Sequence, residues 1–298
     1  MDKKWTSFHL YYHSFDQLDI LLLELIEPVM EQLNIDWFFI RYWYGGPHIR
    51  VRMLHVNEEE KRYISEKFRS YLDTHPSNEK LDVAQFYKQY SKYFSLENIN
   101  SRNVEWYENN SVVESEYVPE INRYGGLKGI EINEDYFISN TKLTVKVLQS
   151  SNNHRFFLAL DSFFISLMIM EKEGVMSTDS FIQYTKKSVT QKEAVNQATF
   201  LFDRHKEHLI KRYKRINHIL GREANSHVQL YVTNYYHLFH NLVKMMKLHK
   251  LPKDQLITVL TSQMHMYCNR LGLSPYKEML LYKLCEKVFS LNKREVLE

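Results

Sequence analysis

The stretch Trp37 to Met53, WFFIRYWYGGPHIRVRM, admits few structures. Two runs dense in aromatic and β-branched residues flank a Gly-Gly-Pro turn, and this reads as a β-hairpin. Side chains alternate between the two faces of a strand. In the second strand His48, Arg50 and Arg52 therefore share one face, and Ile49, Val51 and Met53 share the other. The first strand carries Arg41 among Trp37, Phe39 and Trp43. A hairpin with one apolar face and arginines gathered on the other is suited to hold an anion, and the same pattern also fits an ordinary solvated strand face.

The flanking sequence supplies partners for this hairpin. Trp5 to His13 alternates and is rich in β-formers, so it reads as a first strand. Asp16 to Leu33 has helical periodicity, with Ser14 or Asp16 as its expected cap. Asn57 to Thr74 reads as an amphipathic helix whose Glu58-Glu59-Glu60 first turn suits the positive end of the helix dipole. Strand, helix, strand, strand, helix is most of a split β-α-β unit. Residues 76–102 are polar and show no clear period, and Val104 to Val118 alternates in pieces that are expected to return to the sheet. Beyond residue 131 the strand signal stops. Helices are expected over Glu134 to Leu148, Asn153 to Lys172, Thr178 to Lys187, Gln191 to Leu220, Ser226 to Lys250, Asp254 to Leu271 and Pro275 to Leu291, the last capped by Ser274. The expected class is α+β: an N-terminal mixed or antiparallel sheet with flanking helices over residues 1–130, then a largely helical half over 131–298, packed as one domain.

Composition narrows the function classes. With 298 residues, 21 Tyr and 17 Phe but only 8 Gly and 6 Pro, the chain has material for a large core and few breaks. No segment approaches the ~20 apolar residues of a membrane span, and the N-terminus has no apolar signal region. Cys268 and Cys285 lack metal-type spacing, so a reduced, cytoplasmic protein is expected. A net charge of +3 is too mild to argue for nucleic acid. The pairs His205 with His208 and His237 with His240 have no nearby Cys or acidic triad to complete a metal site. Neither a phosphate-binding glycine loop nor a nucleophile elbow is present. No metal and no organic cofactor is expected.

Two further stretches carry candidate chemistry. In Tyr117-Val-Pro-Glu-Ile-Asn-Arg-Tyr-Gly-Gly126, Pro119 and the glycines break regular structure and set Glu120, Arg123 and Tyr124 on an irregular segment, where functional side chains accumulate. Arg123 could equally pair with Glu120 to pin the loop. In Ser262-Gln-Met-His-Met-Tyr-Cys-Asn-Arg270, His265 and Asn269 are four apart and share a helix face. A single histidine on such a helix is more often a hydrogen-bonded core residue than a catalyst.

Taken together and in order, WFFIRYWYGGPHIRVR, YVPEINRYGG and HMYCNR resemble the C-terminal domain of class I lantibiotic dehydratases, which also occurs free-standing as the thiopeptide-type bacteriocin biosynthesis family. The opening strand WTSFHLYYH fits as well, so the resemblance covers nearly the whole chain. It implies an α+β domain with a helical C-terminal part. It also implies chemistry on a ribosomally made precursor peptide with a leader, after a separate glutamyl-tRNA-dependent protein has glutamylated Ser or Thr. The domain then eliminates glutamate to leave dehydroalanine or dehydrobutyrine. The resemblance assigns this step to His265, Arg52 and Arg123, with Arg50, Arg41, His48, Tyr124 and Asn269 as substrate-binding candidates around them. The large N-terminal glutamylation domain of the full dehydratases is missing, so this chain is not expected to perform the whole dehydration alone.

Two alternatives stay open. Some free-standing members are pyridine synthases, which join two dehydroalanines by a formal aza-[4+2] cycloaddition with loss of the leader. Proximity is their main lever, and Tyr11, Tyr12, Tyr42 and Tyr44 are proton donors available to either chemistry. A precursor-binding subunit without chemistry is the other, and the basic stretch Arg204 to Arg215 bears on it, although a solvated helix face explains that stretch equally well. A homodimer and a complex with the glutamylating protein are both compatible with the sequence.

Overall fold

The structure, a computed structural model, describes residues 3–91, 94, 104–219 and 227–297. The chain divides into two compact units, Met1–Val118 and Pro119–Glu298. The first holds the sheet. Strands β1 (Trp5–Tyr11), β2 (Trp37–Tyr42), β3 (His48–Leu54) and β4 (Ser111–Glu114) form one antiparallel sheet in the order β2-β3-β1-β4. β3 returns from the hairpin to lie between β1 and β2, which is the split β-α-β arrangement.

Strand parity assigns the faces. Phe8, Leu10, Phe39, Ile49, Val51 and Met53 form the buried face, covered by helix α1 (residues 15–32) and helix α2 (Glu58–Thr74). Phe8 meets Phe68 of α2 edge to face with centroids 6.0 Å apart, and the Tyr71 hydroxyl of α2 donates to Glu24 of α1 at 2.9 Å. The expected helix over 16–33 is present but not uniform. It widens into a π-turn over Leu21–Ile26, just before Pro28, which has no N–H to return to the carbonyl four residues earlier. Ser14 holds the N-cap position, but its side chain makes no cap hydrogen bond. Asn57 does cap α2, in a reciprocal capping box with Glu60.

The region 76–118 differs most from expectation. Helix α3 (Val83–Tyr90) forms in the stretch without clear period, capped by Asp82, and β4 is only four residues long. α3 and the segment before β4 serve the hairpin turn. The Tyr87 hydroxyl of α3 accepts from Gly45 N–H at 3.1 Å and donates to the Glu105 carbonyl, while Tyr107 N–H donates to the Gly45 carbonyl at 2.9 Å. Trp43 stacks on Tyr90, at 5.0 Å and 14°.

The second unit is helical: α4 (Gly126–Val145), α5 (Asn152–Lys172), α6 (Thr178–Ser188), α7 (Lys192–Ile219), α8 (His227–Leu248), α9 (Lys253–Arg270) and α10 (Pro275–Leu297). The expected ends at Leu220 and Ser226 lie outside the described residues. α4 begins eight residues before the expected Glu134. Its first turns hold Gly129, where a Cβ would come 2.0 Å from the Tyr124 carbonyl oxygen, so close backbone approach overrides the weak helix preference of GLKGIEIN. α5 runs through the core, with Leu160, Phe163, Phe164 and Ile165 fully buried. Polar pairs stitch the helices: Gln263 of α9 donates to Asn133 of α4 at 2.5 Å, and Arg270 donates to Asn140 at 3.2 Å. Arg155 caps the end of α9 by donating to the Leu271 carbonyl at 3.1 Å. Cys268 and Cys285 are buried thiols. Among the described residues no helix is long and apolar enough to cross a membrane.

The hairpin turn is the tightest point of the sheet unit. Gly46 has φ +104°, and a Cβ there would come 2.4 Å from His13 Nε2. Gly46→Ala is expected to destabilise the protein by roughly 2–4 kcal/mol, combining positive-φ strain with the clash. Urea denaturation measures this, and a loss below about 0.5 kcal/mol would show that the turn is not constrained as described.

Candidate functional site

The other face of the sheet gathers the candidate anion-binding residues, with Arg50 half-buried and Arg52 buried. By register, Arg52 lies opposite Ser7 and Phe38, Arg50 opposite His9 and Ile40, and His48 opposite Tyr11 and Tyr42. Both arginines are laid on aromatic rings. The Arg50 guanidinium sits 3.6 Å from the Tyr42 centroid, and Arg52 sits 4.9 Å from Tyr117 and 5.4 Å from Phe38. Such rings orient a guanidinium without neutralising it.

His48 is fully buried, so it does not offer itself to a substrate as expected. It acts on Arg50 instead. Its Nδ1 lies 2.8 Å from the Gly46 carbonyl, and Arg50 Nε donates to its Nε2 at 3.1 Å. A carbonyl can only accept, so the proton is on Nδ1 and Nε2 is the acceptor. The ring is neutral, and burial first and Arg50 next hold its pKa well below the usual histidine range. His9 stacks on it at 5.2 Å and 29°. Burial, then Arg50 and Arg52, push His9 down to about 3. The arginines are thus the charges of this face, and both histidines are neutral at pH 7.

Arg41 departs from expectation. Odd parity puts it on the helix-covered face, 8% exposed, where it pairs with Asp19 of α1 at 2.5 Å. It does not join Arg50 and Arg52. Tyr124 also departs: its ring is 2% exposed and packs edge to face on Phe137 in the helical core.

The helical unit holds the remaining candidates. His265 and Asn269 occupy a partly exposed stripe of α9. His265 Nδ1 lies 2.7 Å from Glu278 Oε2, and the imidazole side chain is 45% exposed. Ionised, the carboxylate can only accept, so Nδ1–H donates and the neutral ring carries its basic lone pair on Nε2. Glu278 is the residue that sequence reasoning missed. It lies thirteen positions downstream of His265 on the first turn of α10, and only the turn between the helices brings the two together. Arg123 forks onto Glu120 at 3.2 and 3.3 Å, as the loop-pinning alternative anticipates, and its Nε also lies 3.3 Å from Ser262 Oγ. Ser262 is one turn before His265 on α9, so the RYGG segment is tied to the helix that carries the imidazole. His9, Ser7 and Tyr117 are further neighbours of the sheet arginines that sequence reasoning missed. Alternation in WTSFHLY sets Ser7 and His9 on one face, but the register opposite β3 is a tertiary fact. Among the described residues no three His, Cys, Asp or Glu side chains are grouped to hold a metal ion.

The neutral histidines predict a pH dependence. In the unfolded chain His9 protonates near pH 6.5, whereas in the folded protein it resists protonation down to about 3. The unfolded state therefore binds more protons in this window, and stability falls as pH is lowered from about 6.5 toward 3. Each excluded proton contributes a slope of about 1.4 kcal/mol per pH unit. Denaturant melts at pH 6 and pH 4.5 should show the loss, and His9→Gln should lower the slope by about one proton. An unchanged slope would contradict the neutral assignment.

With this geometry in hand, comparison with known proteins gives consistent results. The model of the lantibiotic biosynthesis dehydratase C-terminal region matches residues 5–289. Epidermin biosynthesis protein EpiB of Staphylococcus epidermidis is 25% identical over 301 residues, covering 96% of this chain and 26% of EpiB. The chain thus spans about a quarter of that curated relative. Among solved structures, the pyridine synthase TbtD from thiomuracin biosynthesis superposes with a TM-score of 0.76 at 16% identity, over 96% of this chain and 98% of that one. The tRNA-dependent lantibiotic dehydratase MibB from Microbispora sp. 107891 gives 0.63 at 14% identity, over 97% of this chain and 28% of MibB. At these identities the structures share a fold with the chain, and the family assignment rests on the sequence match. Matched over nearly its whole length, the chain belongs to the lantibiotic biosynthesis dehydratase C-terminal family, a family of antibiotic biosynthesis.

Proposed function

We propose that this chain is a lyase that eliminates glutamate from glutamylated Ser or Thr residues of a ribosomally made precursor peptide, leaving dehydroalanine or dehydrobutyrine. The observation that carries this reading is the His265–Glu278 pair, a partly exposed imidazole whose tautomer is fixed by a carboxylate. The peptide and its leader are the partners, and a separate glutamyl-tRNA-dependent protein supplies the ester.

The chemistry assigns a task to each group. His265 Nε2 takes the α-proton, the C–H electrons form the Cα=Cβ bond, and the ester C–O bond breaks to release a glutamate carboxylate. Glu278 stabilises the imidazolium so formed and keeps Nε2 as the accepting atom. Negative charge develops on the enolate and on the departing carboxylate. Arg52 and Arg50 serve the glutamate, with His48 aiming Arg50, and Arg123 serves the enolate or the second carboxylate. Asn269 flanks the base on the same stripe. Arg41 and Tyr124 have no part in this assignment, because Arg41 is paired with Asp19 under α1 and the Tyr124 ring packs on Phe137 in the helical core.

Mass spectrometry of the protein with a glutamylated precursor peptide tests the reading. Wild type should release glutamate, and His265→Ala should slow release on the order of 10²–10⁴-fold. Glu278→Gln should cost on the order of 10- to 100-fold, because an amide N–H facing Nδ1 drives the proton onto Nε2. Peptide affinity should be unchanged in both. Arg52→Lys with full activity would remove the arginine from its role. If the protein instead forms a macrocycle and frees the leader from a peptide bearing paired dehydroalanines, pyridine formation replaces elimination. Binding without any mass change would leave a peptide-binding subunit.

A further inference from the structure

A cavity of about 320 Å³ opens in the helical unit, lined by Phe157 of α5 and by His205, His208, Leu209 and Arg212 of α7. The α7 residues recur at spacings of three and four, which places them on one helix face. At His205 the backbone leaves helical geometry, with φ −123° and ψ 19°, and α7 kinks there. Phe157 is 42% exposed, a large apolar group left at the surface. Arg212 covers it at 5.0 Å from the ring centroid and is itself anchored on the Asp161 carboxylate, with Nη2 2.6 Å from Oδ2.

The stretch of α7 that lines this cavity is cationic. From Arg204 to Arg215 the chain places Arg204, Lys206, Lys211, Arg212, Lys214 and Arg215 against Glu207 alone. All of these except Arg212 are exposed. Arg215 and His154 both act electrostatically on Asp161, the carboxylate that anchors Arg212. Asp161 is engaged by Arg212.

We propose that this cavity is a docking site for an acidic peptide segment that carries an aliphatic or aromatic anchor. Volume, lining and charge each narrow the occupant. The size is at the low end for ligand pockets and admits a side chain or two rather than a cofactor. Phe157 and Leu209 give it apolar walls, and anchoring side chains of peptides are what such walls accept. The lysines and arginines of this stretch attract carboxylates and would speed encounter. A nucleic-acid backbone would gain from these cations but would leave the apolar walls unfilled. The inference is independent of the elimination chemistry and survives if that reading fails.

Fluorescence anisotropy with the full chain tests it, using three short labelled probes. One is a Glu/Asp peptide with a central Phe-Leu pair, the second has Ser-Ser in place of that pair, and the third is oligouridine. The Phe-Leu peptide should bind, and the Ser-Ser peptide should bind about tenfold more weakly. Phe157→Ala and the double variant Lys211→Glu/Arg215→Glu should each weaken the Phe-Leu peptide at least about tenfold, with unchanged circular dichroism melts. All three altered positions are exposed, so folding is a separable readout. Equal affinity for the two peptides, insensitivity to both variants, absence of binding, or tighter binding of oligouridine would each overturn the proposal.

Discussion

The sheet unit depends on the parity of β3. Ile49, Val51 and Met53 are completely buried under α1 and α2, and a guanidinium at any of these positions would lose its hydration with nothing to replace it. Arginine is admitted at Arg50 and Arg52 because the intervening residues face the other way. A slip of one residue would exchange the two sets. Arg41 tests this rule from the opposite side. It lies on the buried face, and there it requires Asp19 as a close counter-charge. The same side chain is thus ion-paired beneath a helix at one position and laid on aromatic rings at another, and parity decides which.

Two histidines between two arginines need an electrostatic account. Protonating His9 or His48 would put a third positive charge into a confined space, and burial opposes it before the arginines add their repulsion. A neutral His48 can then do what an imidazolium cannot, which is to accept from Arg50 Nε while donating to the Gly46 carbonyl. The chain from Gly46 through His48 to Arg50 transmits the geometry of the hairpin turn to a guanidinium. This gives a functional reason for α3 and residues 104–107, whose hydrogen bonds to Gly45 fix that turn.

How far the sequence discloses this site depends on how far each feature is local. The hairpin, the β3 faces and the Asn57 cap are consequences of neighbours in the chain, and they are legible in WFFIRYWYGGPHIRVRM and NEEE. The companions of Arg50 and Arg52 are not, because Ser7 and His9 reach them only through the β1–β3 register. Glu278 is hidden for a similar reason. It sits in the first turn of α10, where an acidic residue already has a sufficient explanation in the helix dipole. Tyr124 was misleading in the other direction. It is adjacent to Arg123 in sequence, yet the backbone turns its ring into the core against Phe137. α3 does carry Val83, Phe86, Tyr87 and Tyr90 at helical spacing, but eight residues inside a long polar stretch give too short a stripe to stand out in the sequence.

Arg123 illustrates why an ion pair and a functional role are compatible. Its partner Glu120 is more than half exposed, and Arg123 itself is about a third exposed. A pair so solvated contributes about 0–1 kcal/mol, so a substrate carboxylate or enolate can displace Glu120 at little cost. The Ser262 contact holds the guanidinium near α9 independently of Glu120. Arg41 and Arg212 are the contrast. Each has a partner that is mostly buried, and removing that partner would strand a charge in the interior. Exchangeability therefore follows from the hydration of the counter-ion, and by that criterion the Arg123–Glu120 pair is exchangeable where the Arg41 and Arg212 pairs are not.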